Sequence, residues 1–436
     1  MEFFNTATRA VESFRPLSPG RIGIYVCGPT VYGDAHLGHA RSAVFYDVLV
    51  KFLRSLAFDV THVSNITDID DKIIQHACSR GILPGKLAVY YLNSFQDDRA
   101  DLGVDRPDFS PRATEHIQEM IQWVKELFSK KIAYCSNESV YCDVKSFASY
   151  GTLSGRKLNS CSNIPCDEIN IDKRSPADFV LWKASGPGHP GWMSPWGFGR
   201  PGWHLECAVM STKYLGPSFD FHGGGSELLF PHHENERALA VALAGGTFAR
   251  TWLHHGQVTV NGKKMSKSTG NSFRVKDILR DFSPEAVRFF LLNRQYRKPL
   301  DFSIEKLSAA QTSLIRLHHR LNRFERNSVE TFSAPQTWTS SHSASARAFR
   351  DRFRGFMARD MNTSAAAALL FETVKNMEHQ LMKKQASPVD GELSFCGELL
   401  TEALKAGRVL GIIHPHPTEF LERWDPLLAS KNALYY

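Results

Sequence analysis

The spacing of apolar residues changes period several times along the chain, and each change marks an element. RIGIYVCG, Arg21 to Gly28, is a short apolar run of the buried-strand type, and DVTHVSNIT, Asp59 to Thr67, is a second. Between them ARSAVFYDVLVKFLRSL, from Ala40, repeats its apolar residues at helical spacing. Strand, helix and strand in that order form a βαβ unit, so a doubly wound, Rossmann-like parallel sheet of the α/β class is predicted. Ligands of such sheets bind beyond the C-terminal strand ends, where Cys27 and Thr67 fall. From Thr114 a helix, HIQEMIQWVKELFSKK, leads to short strands in AYCSNESVYCDV and to a loop-rich stretch from Gly186 to Pro201. This part reads as an insertion. A second α/β segment runs from Pro201 to about His255, followed by the loop VNGKKMSKSTGN. From about Ser303 to Ile412 the pattern is wholly helical, which predicts a bundle, and the proline-bearing tail after it has room for one short helix. The expected divisions are 1–113, 114–200, 201–260, 261–304, 305–412 and 413–436. No internal repeat interrupts them.

Composition narrows the class without naming a function. A chain of 436 residues, 42% hydrophobic, is long enough for several domains with proper cores. Glu2, Arg9 and Glu12 break the apolar core that a signal sequence would need, and no apolar run approaches a membrane span. A soluble, cytoplasmic protein is therefore expected, with no membrane partner. A formal charge of +7 is compatible with a nucleic-acid partner but too mild to establish one. The cysteines at 27, 78, 135, 142, 161, 166, 207 and 396 suggest no disulfide framework in so long a chain. The pairs 135/142 and 161/166 lack CxxC spacing, so core or free thiols are expected there.

Three stretches carry candidate chemistry. In AHLGHAR, His36 and His39 fall three apart at the opening of the first helix, where backbone N–H groups and the helix dipole attract phosphate, and Gly38 leaves room for a ligand. A capped helix with two surface histidines is the plainer reading of that motif alone. In GKKMSKSTGN, lysines 263, 264 and 267 lie on a glycine-flanked loop that can close over a polyphosphate. A solvated basic turn is the alternative, but the two motifs together resemble the paired signatures of class I aminoacyl-tRNA synthetases. In FHGGGSELLFPHHENE, Pro231 fits a first helical turn, and His232 and Glu236, four apart, share a helix face on which they can share a metal. With the thiolates of Cys27 and Cys207 the donors would be those zinc accepts. Spacing alone does not connect Cys27 to Cys207, and buried core cysteines remain the alternative.

CGPTVYGDAHLGHAR, NITDIDDKI, DFVLWK, GRPGWHLEC, HGGGSELLFPHHENE and KMSKS, in that order, resemble the cysteinyl-tRNA synthetase family from Phe3 to about Ile412. The resemblance implies a class I synthetase catalytic domain with an inserted subdomain, followed by a helical bundle that binds tRNA. It implies one Zn²⁺ held by Cys27, Cys207, His232 and Glu236, and an ATP site formed by His36, His39, Lys264, Lys267, Gly223, Gly224, Gly225 and Glu227. Thr67 and Trp203 would line the amino-acid pocket. L-cysteine, ATP with Mg²⁺, and tRNA-Cys are the expected substrates, and a monomer is expected. The metal has a physical rationale, since an apolar pocket separates cysteine from serine poorly whereas zinc prefers a thiolate.

Some positions depart from the family pattern. Gly33 stands where Asp is usual, Glu227 replaces an Asp of the GGGxD element that faces the ribose, and KMSKST replaces KMSKSL. Typical members continue into a small domain that helps read the anticodon, which this chain is expected to lack. Arg316, Arg320, Arg323 and Arg326, then Arg347, Arg350, Arg352, Arg354 and Arg359, are candidate phosphate contacts, with a solvated helix face as the other reading. Two alternatives stay open: a ligase joining cysteine to a small-molecule amine, and a non-catalytic RNA-binding paralogue.

Overall fold

The fold is taken from a computed structural model that describes residues 1–156, 172–265, 270–325, 343–384 and 393–427. Lys267, Arg326, Cys161 and Cys166 lie outside the described residues. An antiparallel hairpin, β1 (Glu2–Asn5) and β2 (Ala10–Ser13), precedes β3 (Arg21–Val26), α1 (Leu37–Ser55) and β4 (Asp59–Ser64), the predicted βαβ unit. Helices α2 (Asp71–Ser79), α3 (Pro84–Asp101) and α4 (Ile117–Ser129) follow, and then five antiparallel strands: β5 (Ala133–Ser136), β6 (Ser139–Cys142), β7 (Phe179–Ala184), β8 (Trp192–Ser194) and β9 (Gly197–Pro201). The chain returns through α5 (Trp203–Leu215), β10 (Ser218–Gly225), α6 (Glu234–Ala244) and β11 (Phe248–His255). β11, β10, β3 and β4 form one parallel sheet in that order, while β5–β9 form a separate sheet in the order β5-β6-β7-β9-β8.

Burial on both faces explains why these strands are apolar throughout. Ile22, Ile24 and Val26 of β3 pack with Val44, Val48 and Phe52 of α1, whereas Tyr25 packs on the other face with Leu205 of α5 and Leu239 of α6. Each fully buried large apolar side chain contributes roughly 1.5–3 kcal/mol. Beyond β11 come β12 (Val258–Val260), β13 (Lys263–Lys264), α7 (Val275–Asp281), α8 (Pro284–Leu292) and β14 (Leu300–Phe302). The helices α9 (Ile304–Glu325), α10 (Ala344–Ala358), α11 (Thr363–Lys384), α12 (Leu393–Leu410) and α13 (Pro417–Trp424) complete the described chain. No described helix is long and apolar enough to cross a membrane.

The stretch from Gly186 to Pro201, expected as loop, contains the β8–β9 hairpin, in which Met193 pairs with Phe198 and Trp192 with Gly199. Five glycines and short strands hide its alternation from a periodicity reading. A second feature ties α1 to the helices that follow. The Arg288 guanidinium on α8, 1% exposed, pairs with Asp47 on α1 and donates to the carbonyls of Leu102, Gly103 and Leu410. A side chain at Gly411 would collide with that guanidinium, and its φ of +65° favours glycine as well.

Candidate active site

A cavity of about 380 Å³ opens at the C-terminal edge of the parallel sheet, where the last residues of its strands, Val26, Ser64, Gly225 and His255, all line it. His36 is the N-cap of α1 and not part of its first turn. Its Nδ1 accepts from the Gly38 N–H at 3.0 Å, and His39 Nδ1 accepts from the His36 N–H at 3.1 Å. This is a capping box built from two imidazoles, which satisfies two backbone donors and brings the ring centres within 4.0 Å at a tilt of 32°. Gly38 was expected to admit a ligand; a Cβ there would lie 2.8 Å from the His36 ring, so the space serves the histidine first. Both imidazoles, together with Lys264 at the end of β13, line the cavity.

The glycines of β10 divide in the same way. Gly225 lines the cavity beside Glu227. A side chain at Gly223 would strike the Tyr46 hydroxyl, and one at Gly224 the His233 ring, so these two positions yield space to protein side chains. Thr67 is 1% exposed, and its hydroxyl donates to Glu206 Oε2 at 3.2 Å, while Trp203 stands at the cavity wall.

Cys27, Cys207, His232 and Glu236 do meet, with one donor atom of each within 4.8 Å of the others. β3 delivers Cys27, the second turn of α5 delivers Cys207, and β10 lies beside β3 so that the segment after it brings His232 and Glu236. Leu229–His233 forms one wide turn with Phe230 extended, and α6 begins only at Glu234, so Pro231 does not open the helix. His232 and Glu236 nevertheless share a face, with Nε2 2.9 Å from Oε1. The pair lacks the alignment of a hydrogen bond, leaving a buried imidazole nitrogen close to a carboxylate without one. Two ligands of a common ion are arranged in this way.

The electrostatics agree with that donor set. Burial disfavours the His232 cation, yet Glu236 and Cys207 outweigh it and hold the imidazole up to about 10. Burial likewise raises the Cys207 thiol, but its hydrogen bond with Cys27 and the neighbouring His232 bring it down to about 7. Desolvation would lift the Glu236 carboxyl, and His232 and His222 keep it well below the usual range. Burial with Cys207 and Glu236 beside it pushes the Cys27 thiol well up, so the protons on Cys27 and His232 would have to leave before these donors could hold a divalent cation, whose charge would replace theirs. A second, overlapping set, Cys27, His222, His233 and Glu236, shares two of the donors. It has one thiol fewer, and His222 Nε2 is hydrogen-bonded to Glu236 Oε2 at 2.9 Å, an orienting contact of the kind that surrounds metal ligands.

The periodicity reading passed over that surrounding layer. His204 Nδ1 lies 2.8 Å from His232 Nδ1, the Trp203 ring stacks on His232 at 3.8 Å, and His233, His254 and Thr6 form a hydrogen-bonded chain. Burial drives His254 down to about 3, so it is neutral. His204 and His222 sit inside the motifs GRPGWHLEC and FHGGG, and their place in the same motifs as Cys207 and the β10 glycines was the signal available.

Residues 13–312 match the family described as tRNA synthetases class I (C) catalytic domain. Among solved structures, methionyl-tRNA synthetase of Mycobacterium tuberculosis in complex with methionyl-adenylate superposes with a TM-score of 0.66 at 15% identity, over 95% of this chain and 96% of that one. The Agrobacterium radiobacter K84 agnB2 LeuRS-tRNA-LeuAMS complex gives 0.65 at 13%, over 95% and 87%. These likenesses define the fold of a class I synthetase. The cysteine--tRNA ligase of Desulfotalea psychrophila is 42% identical over 96% of this chain and 86% of its own, and that of Clostridioides difficile 41% over 99% and 92%. The chain belongs to the cysteine--tRNA ligase family, and it is an enzyme.

Proposed function

We propose that the enzyme activates L-cysteine with ATP and transfers it to tRNA-Cys within this one cavity. The observation that carries the reading is a thiol, imidazole and carboxylate donor set that reaches, through Cys27, the same cavity as the two imidazoles of the α1 N-terminus. In the first step a cysteine carboxylate oxygen attacks the α-phosphorus of ATP, the bond to the β-phosphate oxygen breaks, and pyrophosphate leaves with Mg²⁺. In the second, a ribose hydroxyl at the tRNA 3′ end attacks the carbonyl carbon of the adenylate. It loses its proton, and AMP departs. For a class I enzyme this is first the 2′-OH.

Cys27, Cys207, His232 and Glu236 would hold one zinc ion, which supplies a preference for sulfur over oxygen in the substrate side chain. Trp203, stacked on His232, and Thr67, oriented by Glu206, bound the amino-acid end. His36 and His39 are held by backbone bonds and face the phosphates, and Lys264 with Lys267 stabilises the charge gathering on pyrophosphate. Gly225 and Glu227 face the nucleoside. Arg320 and Arg323 are paired with Glu378, whereas Arg316 and Arg352 are exposed and available to tRNA phosphates.

The test is transfer of labelled cysteine to purified tRNA-Cys, with cysteine-dependent pyrophosphate exchange and metal content measured in parallel. Charging, exchange and one zinc per chain are expected. Exchange without charging would overturn the tRNA assignment, and neither activity would overturn the reading altogether.

A further inference from the structure

Arg41 lies on α1 two residues after His39 and is 2% exposed. Among the described residues no carboxylate is within ion-pair distance of it. Its guanidinium instead donates to four backbone carbonyls: Nη1 to Gly256 and Gln257 at 2.8 and 2.9 Å, Nη2 to Tyr296 and Lys298 at 2.9 and 2.6 Å. Burying an unpaired cation is expensive, and burial lowers this one to about 10, so the arrangement asks for a reason beyond packing.

The two segments it joins form the root of the lysine hairpin. Gly256 and Gln257 connect β11 to β12, and Gly256 N–H donates to Tyr296 O while Leu300 N–H donates to Gln257 O. A Cβ at Gly256 would lie 2.5 Å from the Lys298 carbonyl, so the crossing is tight. From it β12 and β13 run as one hairpin that carries Lys264 to the cavity lined by His36 and His39. The far root of the lysine segment is also tied to the histidines. Leu37 N–H donates to Phe273 O, Val275 N–H donates to Ala35 O, and Asp34 pairs with Lys276 at 2.7 Å and Arg274 at 3.4 Å.

We propose that Arg41, with the Asp34–Lys276 pair as a second tie, is a positioning residue for amino-acid activation. It fixes the root of the lysine hairpin at a set distance from the helix that carries His36 and His39, so that imidazoles and lysines converge on one polyphosphate. This rests on the activation reading above. Because α1 is one rigid helix, Arg41 and His39 move together, and a planar guanidinium can span two segments where an ammonium cannot.

Arg41→Lys in the full chain tests it. Cysteine-dependent exchange should fall about 100-fold in kcat, the loss expected for displacement of reacting groups by roughly 1 Å. KM for cysteine and metal content should stay within about twofold, and transfer from supplied cysteinyl-adenylate to tRNA should fall less than about threefold, because no pyrophosphate departs in that step. Exchange at the wild-type rate, or activation and transfer falling equally, would overturn the proposal; a purely structural arginine gives the latter. Should Arg41→Lys not fold, Lys276→Met removes the second tie at a partly exposed site. It should lower activation about fivefold and leave transfer unchanged, and unchanged activation would overturn the proposal. A wild-type protein without exchange would instead defeat the activation reading itself.

Discussion

Behind Cys27 at one end of the cavity Cys207, His232 and Glu236 are at most 1% exposed, and each lies against a neighbour that orients it; at the other, His36 and His39 are half-buried and Lys264 is exposed. The difference follows from what each end must do. Selecting a thiol requires donors held in place before the substrate arrives, which a buried histidine layer provides. A polyphosphate has to enter and pyrophosphate has to leave, so the phosphate end is open and is positioned from behind, through Arg41 and through Asp34.

The strongest way to break this comparison is at the metal end. Cys207→Ser should abolish stoichiometric metal and lower exchange by more than about 10³-fold, since a hydroxyl is a poor zinc ligand beside a buried carboxylate. Metal analysis together with exchange decides it, and retention of both would remove the distinction between the two ends.

Next in size is the frame behind the phosphate end. Arg288→Met takes from the buried Asp47 one of its two ion-pair partners, leaving Lys51, and should cost about 3 kcal/mol in urea unfolding. A loss under about 1 kcal/mol would mean that α1 is held by packing alone.

A smaller effect sharpens the account of the metal end. His204→Phe keeps a ring against Trp203 but removes the nitrogen facing His232, so metal affinity in a chelator competition should fall about 10- to 100-fold. Unaltered affinity would make the histidine layer mere packing.

Acid acts on the bundle as well as on the cavity, where burial also lowers His254 and His255. His318 stacks on Phe420 at 3.7 Å; its Nδ1–H donates to Leu314 O and its Nε2 accepts from His414 N–H. Both nitrogens are therefore satisfied only in the neutral ring, and burial lowers the group to about 3 although the Leu314 carbonyl opposes this. The native state then binds fewer protons than the unfolded one. The stabilisation is complete above the unfolded value near 6.5 and is lost as pH falls toward 3, by about 2 kcal/mol at pH 5. His318→Gln should flatten that decline in urea midpoints between pH 5 and 7, and an unchanged slope would place the acid sensitivity elsewhere.

Much of this was legible along the chain. The strand, helix and strand periods of Ile22 to Val63, the HxGH and KMSKS signatures and the His232/Glu236 spacing are local properties, written within a few turns or one strand. Local periods also place Cys27 at a strand end, and hence at the ligand edge of a parallel sheet. What the residues alone left open was which distant groups meet. Cys27 reaches Cys207 because β3 lies beside β10 and α5 packs over both, and Arg41 finds four carbonyls because the β11–β12 crossing lies on α1. The β8–β9 hairpin was hidden because its pairing partner, β7, supplies the register that its own glycines do not. Periodicity records which side of an element faces a core; which other element forms that core depends on the register and order of the sheet, and those are set by long-range packing that no single stretch of sequence encodes.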